Sequence, residues 1–534
     1  MLLLLSVALT RWNGFAATFD AATAPDTKAI RSPVAEDSAD AHYRHGLAYL
    51  RGVGQNRKIR EGVKTIVAAA RSGHAPARTY LGEFYTMGLL VPYESESAFR
   101  LFLKSASENH VAAYYAIAQC YQHGMGVEVD QGKAANWFRR VVQAGVDQPE
   151  LLDSESMRAV GLCYRDGTGT TKSYATSAMW LLKAAKAGSP RALFELADFY
   201  VNGIGVPQND RKAFALYLKS AYAGFTQACL AVSRHYRYGK GVVANADEAD
   251  RWIDIAHDQF EEEARVGSLH AQVSLYRYKR QGVIRSDEDD GMKWLTMAAD
   301  KGYPDALTLL GGALATGNGI QRDTERAVHL LRQAAAAHDG GAHFHLFQMT
   351  QHGIGTPRDP QAAWEHLRLA ADAGNMEAMQ QMAKWVLTNP NSSNAEAQAN
   401  EWLVKAREAN KILAERNQSQ AQLALFVMYG RGQGGKKDIH RAFYWLRRSA
   451  ENGSDEAQYM LANAYDQGLG IERDPAEALI WYHRSAEQGL SQRFSALALL
   501  ANRENSGYSA MLRLPIYGTR RPTLALEIPP KMEM

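Results

Sequence analysis

Cysteine is scarce in this chain: 534 residues hold three, Cys120, Cys163 and Cys229. Three scattered thiols cannot form a disulfide framework, and neither a CxxC nor a Cys/His spacing suggests zinc. Proline is scarce as well, at 16 against 44 glycines. That imbalance argues against long proline-rich linkers and for many short turns. An excess of one charge is also lacking. The 60 basic and 57 acidic residues leave a net charge of +3, so nothing global demands nucleic acid or an acidic surface. Long hydrophobic runs are missing too. The early run Leu2 to Leu9 suits a signal-peptide core and is too short to span a bilayer. It has no basic n-region and no clean small-x-small cleavage site. The secretory pathway, with the endoplasmic-reticulum lumen, is slightly favoured on this run, with mitochondrion and cytosol as alternatives.

What the chain does have is an internal repeat. A hydrophobic content of 46% supports a folded chain. At this length a single core is excluded, because cores stop growing near ~250–300 residues. The segment "YDQGLG" at 465 recurs as "YQHGMG" at 121, "YRDGTG" at 164, "YVNGIG" at 200, "YRYGKG" at 236 and "YGRGQG" at 429. Alignment on its first glycine gives twelve units, starting at Ala41, Ala77, Ala113, Ser156, Ala192, Ala228, Ala271, Ala306, Ala342, Ala378, Ala421 and Ala457. The steps are 35 or 36 residues, with three of 43.

Each unit reads as two helices. Helix A runs from the starting alanine to the glycine, with Ala457, Leu461, Ala462 and Tyr465 at helical spacing in the last unit. The first glycine, as at Gly124, Gly167, Gly203, Gly239 and Gly468, suits the left-handed position beyond a helix C-terminus. Asp130, Asn209, Asn245, Asp323, Asp359, Asp438 and Asp474 are positioned as N-caps of helix B. Trp137, Trp180, Trp252, Trp294, Trp402, Trp445 and Trp481 share one offset in helix B and are expected to anchor each hairpin to its neighbour. Of the seven-residue insertions, "EEEARVG" and "KILAERN" are expected to lengthen helix B, and "VDQPELL" to form a loop around Pro149. A lone hairpin cannot cover its own apolar face, whereas stacked hairpins can. The fold class expected is all-α: a solenoid of about twelve two-helix repeats over 41–492. A targeting segment and flexible arm occupy 1–40. A capping helix and an extended tail occupy 493–534.

The pattern A-x3-L-[AG]-x2-Y-x2-G-x-G…D-x3-A-x2-W-[YFL]-x3-A-x2-G resembles the Sel1-like repeat family, relatives of the tetratricopeptide repeat. The last unit matches almost throughout, from Ala457 to Gly489. The resemblance implies a right-handed superhelix that has no chemistry or cofactor of its own and binds other proteins. Known members are adaptors in endoplasmic-reticulum-associated degradation, activators of cell-wall synthases and bacterial regulators. Departures occur in repeats one and two, which lack the tryptophan. Repeats two and seven carry Leu90 and Ile284 in place of the second glycine, and repeat ten lacks both glycines.

Three constellations invite a functional reading. "GRGQGGKK", Gly430 to Lys437, has the spacing of a phosphate-binding loop but lacks the Ser/Thr after the lysine and any preceding strand. It coincides with the repeat turn. His338, His343, His345 and His352 cluster around repeat nine, and a solvated or partly buried role outweighs metal binding. Arg234 and Arg237 recur at equal offsets one repeat later as Arg277 and Arg280. Equal offsets stack in a solenoid, so the four are expected to form one basic patch with Tyr238 and Tyr278 between them. Such a patch suits an acidic peptide, a phosphate or single-stranded nucleic acid. The expected function is a scaffold that binds partner proteins on its inner surface. An organellar nucleic-acid-associated protein and a soluble quality-control adaptor are the alternatives.

Overall fold

The computed structural model describes residues 38–52, 57–283, 288–388 and 394–486. The targeting segment and arm expected over 1–40 lie almost wholly outside these residues, and the capping helix and tail expected over 493–534 wholly so. The described residues form twenty-four α-helices in twelve hairpins, with one short 3-10 turn, Pro149–Leu151. Helices A begin with Ala39–Arg51 and end with Asp455–Gln467, and helices B begin with Ile59–Arg71 and end with Pro475–Ala486.

The repeat positions explain themselves once the hairpins are packed. The starting alanines are inaccessible, as at Ala77, Ala113, Ala192, Ala228 and Ala457, because helix B crosses directly over them. The small residue five places on does the same. A Cβ on Gly82 would lie 2.4 Å from the Phe102 ring, and one on Gly311 would lie 2.7 Å from Leu331. Trp180, Trp252, Trp445 and Trp481 are buried, while Trp137, Trp294 and Trp402 are half-buried. At ~150–250 Å² each, a buried ring contributes roughly 4–6 kcal/mol. Arg140, Lys183, Lys405 and Arg484, each three residues on, lie over these rings at 4.2–4.6 Å. The repeated tyrosine is less buried than its fixed offset suggests: seven of the eight rings are half-buried. Its backbone works harder, since Tyr121, Tyr200 and Tyr465 each accept from the N–H of the next N-cap residue at 2.9 Å.

All seven expected N-caps accept a backbone N–H three residues on, at 2.8–3.1 Å. Both corner glycines are left-handed, as at Gly468 (φ 68) and Gly470 (φ 74). The second has a purpose that spacing alone does not reveal. A Cβ on Gly126, Gly205 or Gly241 would lie 2.2–2.4 Å from the carbonyl oxygen of Ser95, Tyr174 or Asp210, at the start of the preceding helix B. The corner of each hairpin thus rests on its predecessor. Leu90, which replaces this glycine in repeat two, also adopts positive φ, at 56.

The insertions in repeats six and ten lengthen helix B to 20 and 21 residues, Ala246–Arg265 and Ala395–Glu415. In repeat three the result differs from the expected loop. Helix B continues through Asp147, and only Pro149–Leu151 forms the 3-10 turn. Proline is tolerated at the first position of such a turn because its missing N–H would be unpaired there anyway.

The stack then closes on itself. Arg57 in repeat one donates to Glu263 in repeat six at 2.7 Å. Tyr93 in repeat two packs edge-on against Tyr303 in repeat eight. Asp166 in repeat four accepts from Arg416 at 3.0 Å. Lys240 in repeat six meets Glu451 at the end of repeat eleven at 2.9 Å. The offset in these four contacts is five or six repeats. So about six repeats make one superhelical turn, and the corners of the first turn seat directly on the helix ends of the second.

Candidate functional site

The inward side of the first turn is occupied by its own side chains. Arg191 in repeat five reaches across to Glu83 in repeat two with a two-pronged contact at 3.0 and 3.2 Å. Next to it, Arg158 bridges Glu155 at 2.8 Å and Glu195 at 3.1 Å, and Ser189 donates to the other oxygen of Glu155. Burial alone would raise the Glu155 carboxyl. The charges of Arg158 and Arg191 and the Ser189 hydroxyl overcome it and hold the group at about 2. The expected inner surface is therefore, in repeats two to five, an internal ion-pair network rather than a lining of free A-helix side chains.

The second polar centre lies in the seam between the turns. Asp198 accepts from the Tyr217 hydroxyl and from Asn417 at 2.8 Å. Arg448 is buried and donates to the Val201 carbonyl at 3.2 Å, to Asn202 Oδ1 and to Asn417 Oδ1 at 3.4 Å. Burial pushes the Asp198 carboxyl up to about 6, against the hydrogen bonds of Tyr217 and Asn417. Nothing in the repeat pattern points at Asp198 or Arg448. One signal was available. Asn417 stands where most repeats have glycine after helix B, and it too is left-handed, at φ 58.

The four arginines lie on helices Thr226–Tyr238 and Leu269–Arg280. Arg237 pairs with Asp250 of its own hairpin at 2.6 Å, and Arg277 with Asp305 of the next repeat at 3.2 Å. Arg280 donates to the Tyr276 hydroxyl at 2.7 Å. Arg234 is half-buried, its charge within reach of Asp198 and Tyr278. Tyr238 turns away from the group into the seam, beneath Arg484 at 5.2 Å. Arg237, Arg277 and Arg280 are exposed.

One arrangement has the connectivity of a nucleophile relay. His110 Nδ1 lies 3.2 Å from the Ser105 hydroxyl, and its Nε2 lies 3.1 Å from Asp153. Ser105 is fully buried, however, and its hydroxyl donates to the Ala75 carbonyl at 2.7 Å. Ser220, Ser449 and Ser485 make the same bond in their own repeats. The serine is thus a repeat-wide tie between helix B and the start of helix A, not a nucleophile.

Gly432 and Gly434 have the φ of ordinary corner glycines, and Asp438 already caps the helix that follows. Gly435 leaves room for Arg407, whose guanidinium occupies the position of a missing side chain. His343 and His366 approach at 3.1 Å between Nδ1 atoms, and burial with that neighbour lowers His343 to about 4. His338 packs against Gly124 across the seam and His345 against Gly312. Among the described residues no three His, Cys, Asp or Glu side chains converge as metal ligands. The three cysteines are buried, and burial pushes each thiol up to about 12. No described helix is long and apolar enough to cross a membrane.

The Sel1 repeat pattern matches eleven segments between residues 39 and 490. It passes over repeat ten, whose hairpin Met376–Thr388 and Ala395–Glu415 is nonetheless formed. Among curated proteins, the chain is 27% identical to chitin synthase regulatory factor 3 of Schizosaccharomyces pombe, over 48% of this chain and 27% of that protein. It is 24% identical to chitin synthase regulator SKT5 of Saccharomyces cerevisiae, over 50% of this chain and 38% of that protein. The chain thus spans well under half the length of these relatives. Among solved structures it is similar to c5321, a protective antigen of uropathogenic Escherichia coli with this fold. That match has 23% identity and a TM-score of 0.30, over 88% of this chain and 89% of that one. A Sel1 repeat protein from Oxalobacter formigenes is 25% identical with a TM-score of 0.32, over 67% of this chain and 98% of that one. With the repeat matched along most of its length, the chain belongs to the Sel1 repeat family.

Proposed function

We propose that the protein is a non-enzymatic scaffold that binds a partner protein and thereby helps assemble or regulate a complex. The supporting observation is the continuous stack of twelve hairpins whose inner and seam-facing polar groups are spent on the protein's own architecture. What remains for a partner is exposed helix surface. Relatives named as regulators of chitin synthase agree with a regulatory role. Affinity in such a case comes from a few anchors rather than from total area. The arginines of repeats six and seven are the candidate contact, with the exposed Arg237, Arg277 and Arg280 as its reachable part. The carboxylate partners Asp250 and Asp305 are exchangeable at the surface, where such pairs are worth ~0–1 kcal/mol.

The test is affinity capture of the tagged chain from its own cells, for the native chain and for R237E/R277E/R280E. A variant with Arg234→Glu added is compared separately, because Arg234 sits beside Asp198. Loss of a specific protein partner on reversal supports the contact. Recovery of every partner unchanged refutes it. Capture of nucleic acid alone, lost steeply with salt, would replace the protein-scaffold reading.

A further inference from the structure

The outer side of the first superhelical turn is strongly basic. Helices A face inward, as the reach of Arg191 across the turn to Glu83 requires, so helices B form the outer side. In repeats two to five these are Ser95–Ala106, Gln131–Asp147, Tyr174–Lys186 and Asp210–Tyr222. Together they hold ten lysines and arginines against three carboxylates. Those three, Glu96, Asp147 and Asp210, stand in the first turn or at the last residue of their helices. The next helix B, Ala246–Arg265 of repeat six, reverses the balance with eight acids and two bases.

Four of the ten bases form a row. Lys104, Arg140, Lys183 and Lys219 each lie twenty-seven residues after their repeat start, and all four are exposed. Arg140 and Lys183 lie over Trp137 and Trp180 at 4.2 and 4.4 Å. None of the four pairs with a carboxylate among the described residues. Leu103 and Leu182, each one residue before a member of the row, are exposed, as are Met179 and Tyr222 one helical turn away. The same offset holds Lys405, Arg448 and Arg484 in repeats ten to twelve. There the helices B carry seven bases and six acids, and Arg448 is buried in the seam.

The curvature narrows what can bind such a row. With about six repeats to a turn, the row from repeat two to repeat five follows roughly half of the circumference. A flat bilayer reaches only part of it at once, whereas a flexible chain can follow all four cations. A single strand of nucleic acid could follow the curve as well. Leu103, Met179 and Leu182 offer its bases no ring to stack on, but they suit the apolar side chains of a polypeptide.

We propose that this row binds an extended acidic segment of a partner protein. Its carboxylates pair with Lys104, Arg140, Lys183 and Lys219, and its apolar side chains pack against Leu103, Met179 and Leu182. The row lies on helices B of repeats two to five, apart from the arginines of repeats six and seven, so either contact can fail without the other.

Fluorescence anisotropy of the full chain with a labelled peptide tests it. The probe has about twenty residues, enough when extended to cross four repeats, with glutamate at every third position and leucine between. The native chain binds it with a Kd below about 100 µM at low salt and releases it as salt is added. K104E/R140E/K183E/K219E weakens binding by at least about tenfold, and R237E/R277E/R280E leaves it unchanged. The same peptide with glutamine for glutamate does not bind. A native chain that fails to bind the acidic peptide overturns the proposal, as does a folded K104E/R140E/K183E/K219E that binds at native strength. Tighter binding through the same four residues of an oligothymidylate, or of vesicles of phosphatidylserine and phosphatidylcholine in equal parts, overturns it in favour of that ligand. Where the fourfold reversal fails to fold, K104Q/R140Q/K183Q/K219Q carries the same comparison.

Discussion

Replacing Arg448 with alanine is expected to uncouple the two turns. Its guanidinium lies in helix B of repeat eleven, is 6% exposed and reaches repeat five. There it satisfies the Val201 carbonyl and Asn202 Oδ1. It also bonds Asn417, which in turn bonds Asp198. Hydrogen bonds made by a charged group contribute ~1.5–3 kcal/mol each, and removing one member of a buried polar network costs ~3–5 kcal/mol. Asn417 Oδ1 keeps Asn452 as a donor at 3.4 Å, while the Val201 carbonyl and Asn202 Oδ1 lose the guanidinium, so a loss of ~3 kcal/mol is expected. Loss of the packing of the buried side-chain stem adds to it. The form of the loss is more telling than its size. In a linear repeat array each unit contacts only its neighbours, and unfolding can proceed piecewise. The seam ties repeat five to repeat eleven, so the native chain unfolds more cooperatively than a linear array. Urea titration followed by circular dichroism should therefore show one steep transition for the native chain. R448A should show an earlier, shallower or split transition. Lysine does not restore it, because one ammonium cannot span the same fork. Native and R448A curves that superimpose within ~0.5 kcal/mol would show that Arg448 does not couple the two turns.

Asp198 supplies a prediction in pH. Its folded pKa of about 6 lies above its ordinary value of 3.8, so the folded state binds the proton more tightly. The associated stability is fully present below the unfolded value and is lost as pH rises through 6. Buried His235, lowered to about 4, runs in the opposite sense, so the measurement is a difference between native and D198N. The native chain should lose ~1–1.5 kcal/mol relative to D198N between about pH 5 and about pH 8, and parallel profiles would contradict this. Gly205→Ala places a Cβ 2.4 Å from the Tyr174 carbonyl oxygen at positive φ, whereas Gly188→Ala at φ 88 meets nothing within 4 Å. Thermal denaturation should show a loss of ~2–4 kcal/mol for the first and about 1 kcal/mol for the second. Equal losses would deny the close approach of corner to helix. Ser105→Ala should cost ~1 kcal/mol, and the native chain should resist a fluorophosphonate serine probe. Labelling at Ser105 would show that it is a nucleophile after all.

The hairpins were legible because a short period writes the same physics twelve times. A cap such as Asp474, a corner such as Gly468 and a small residue such as Gly82 are each set by neighbours within one repeat or the next. Repeat ten shows the reach of that logic: with both glycines gone, its hairpin still forms between its neighbours. The seam was not legible, for the opposite reason. Its members lie about 200–250 residues apart, as in Asn417 with Asp198 at a separation of 219, and no local pattern links them. Stacked offsets also left out the neighbours of the arginines. Equal offsets do align along a solenoid, but acids on adjoining helices, Asp250 and Asp305, sit within reach and claim two of the four. The second corner glycine falls between these cases. Its recurrence was visible, and its cause, the carbonyl of the preceding helix B, appears only when repeats are stacked.

Two superhelical turns in direct contact are the defining feature of the fold, and zero-length carbodiimide cross-linking of dilute, monomeric protein probes that contact itself. Lys240 lies 2.9 Å from Glu451 and Lys172 3.6 Å from Glu415, while Lys133 and Asp130, at 3.3 Å, serve as a local control. Mass spectrometry should find the 240–451 and 172–415 links within one chain alongside the control. Recovery of the 130–133 link without either long-range one would contradict the stacked turns.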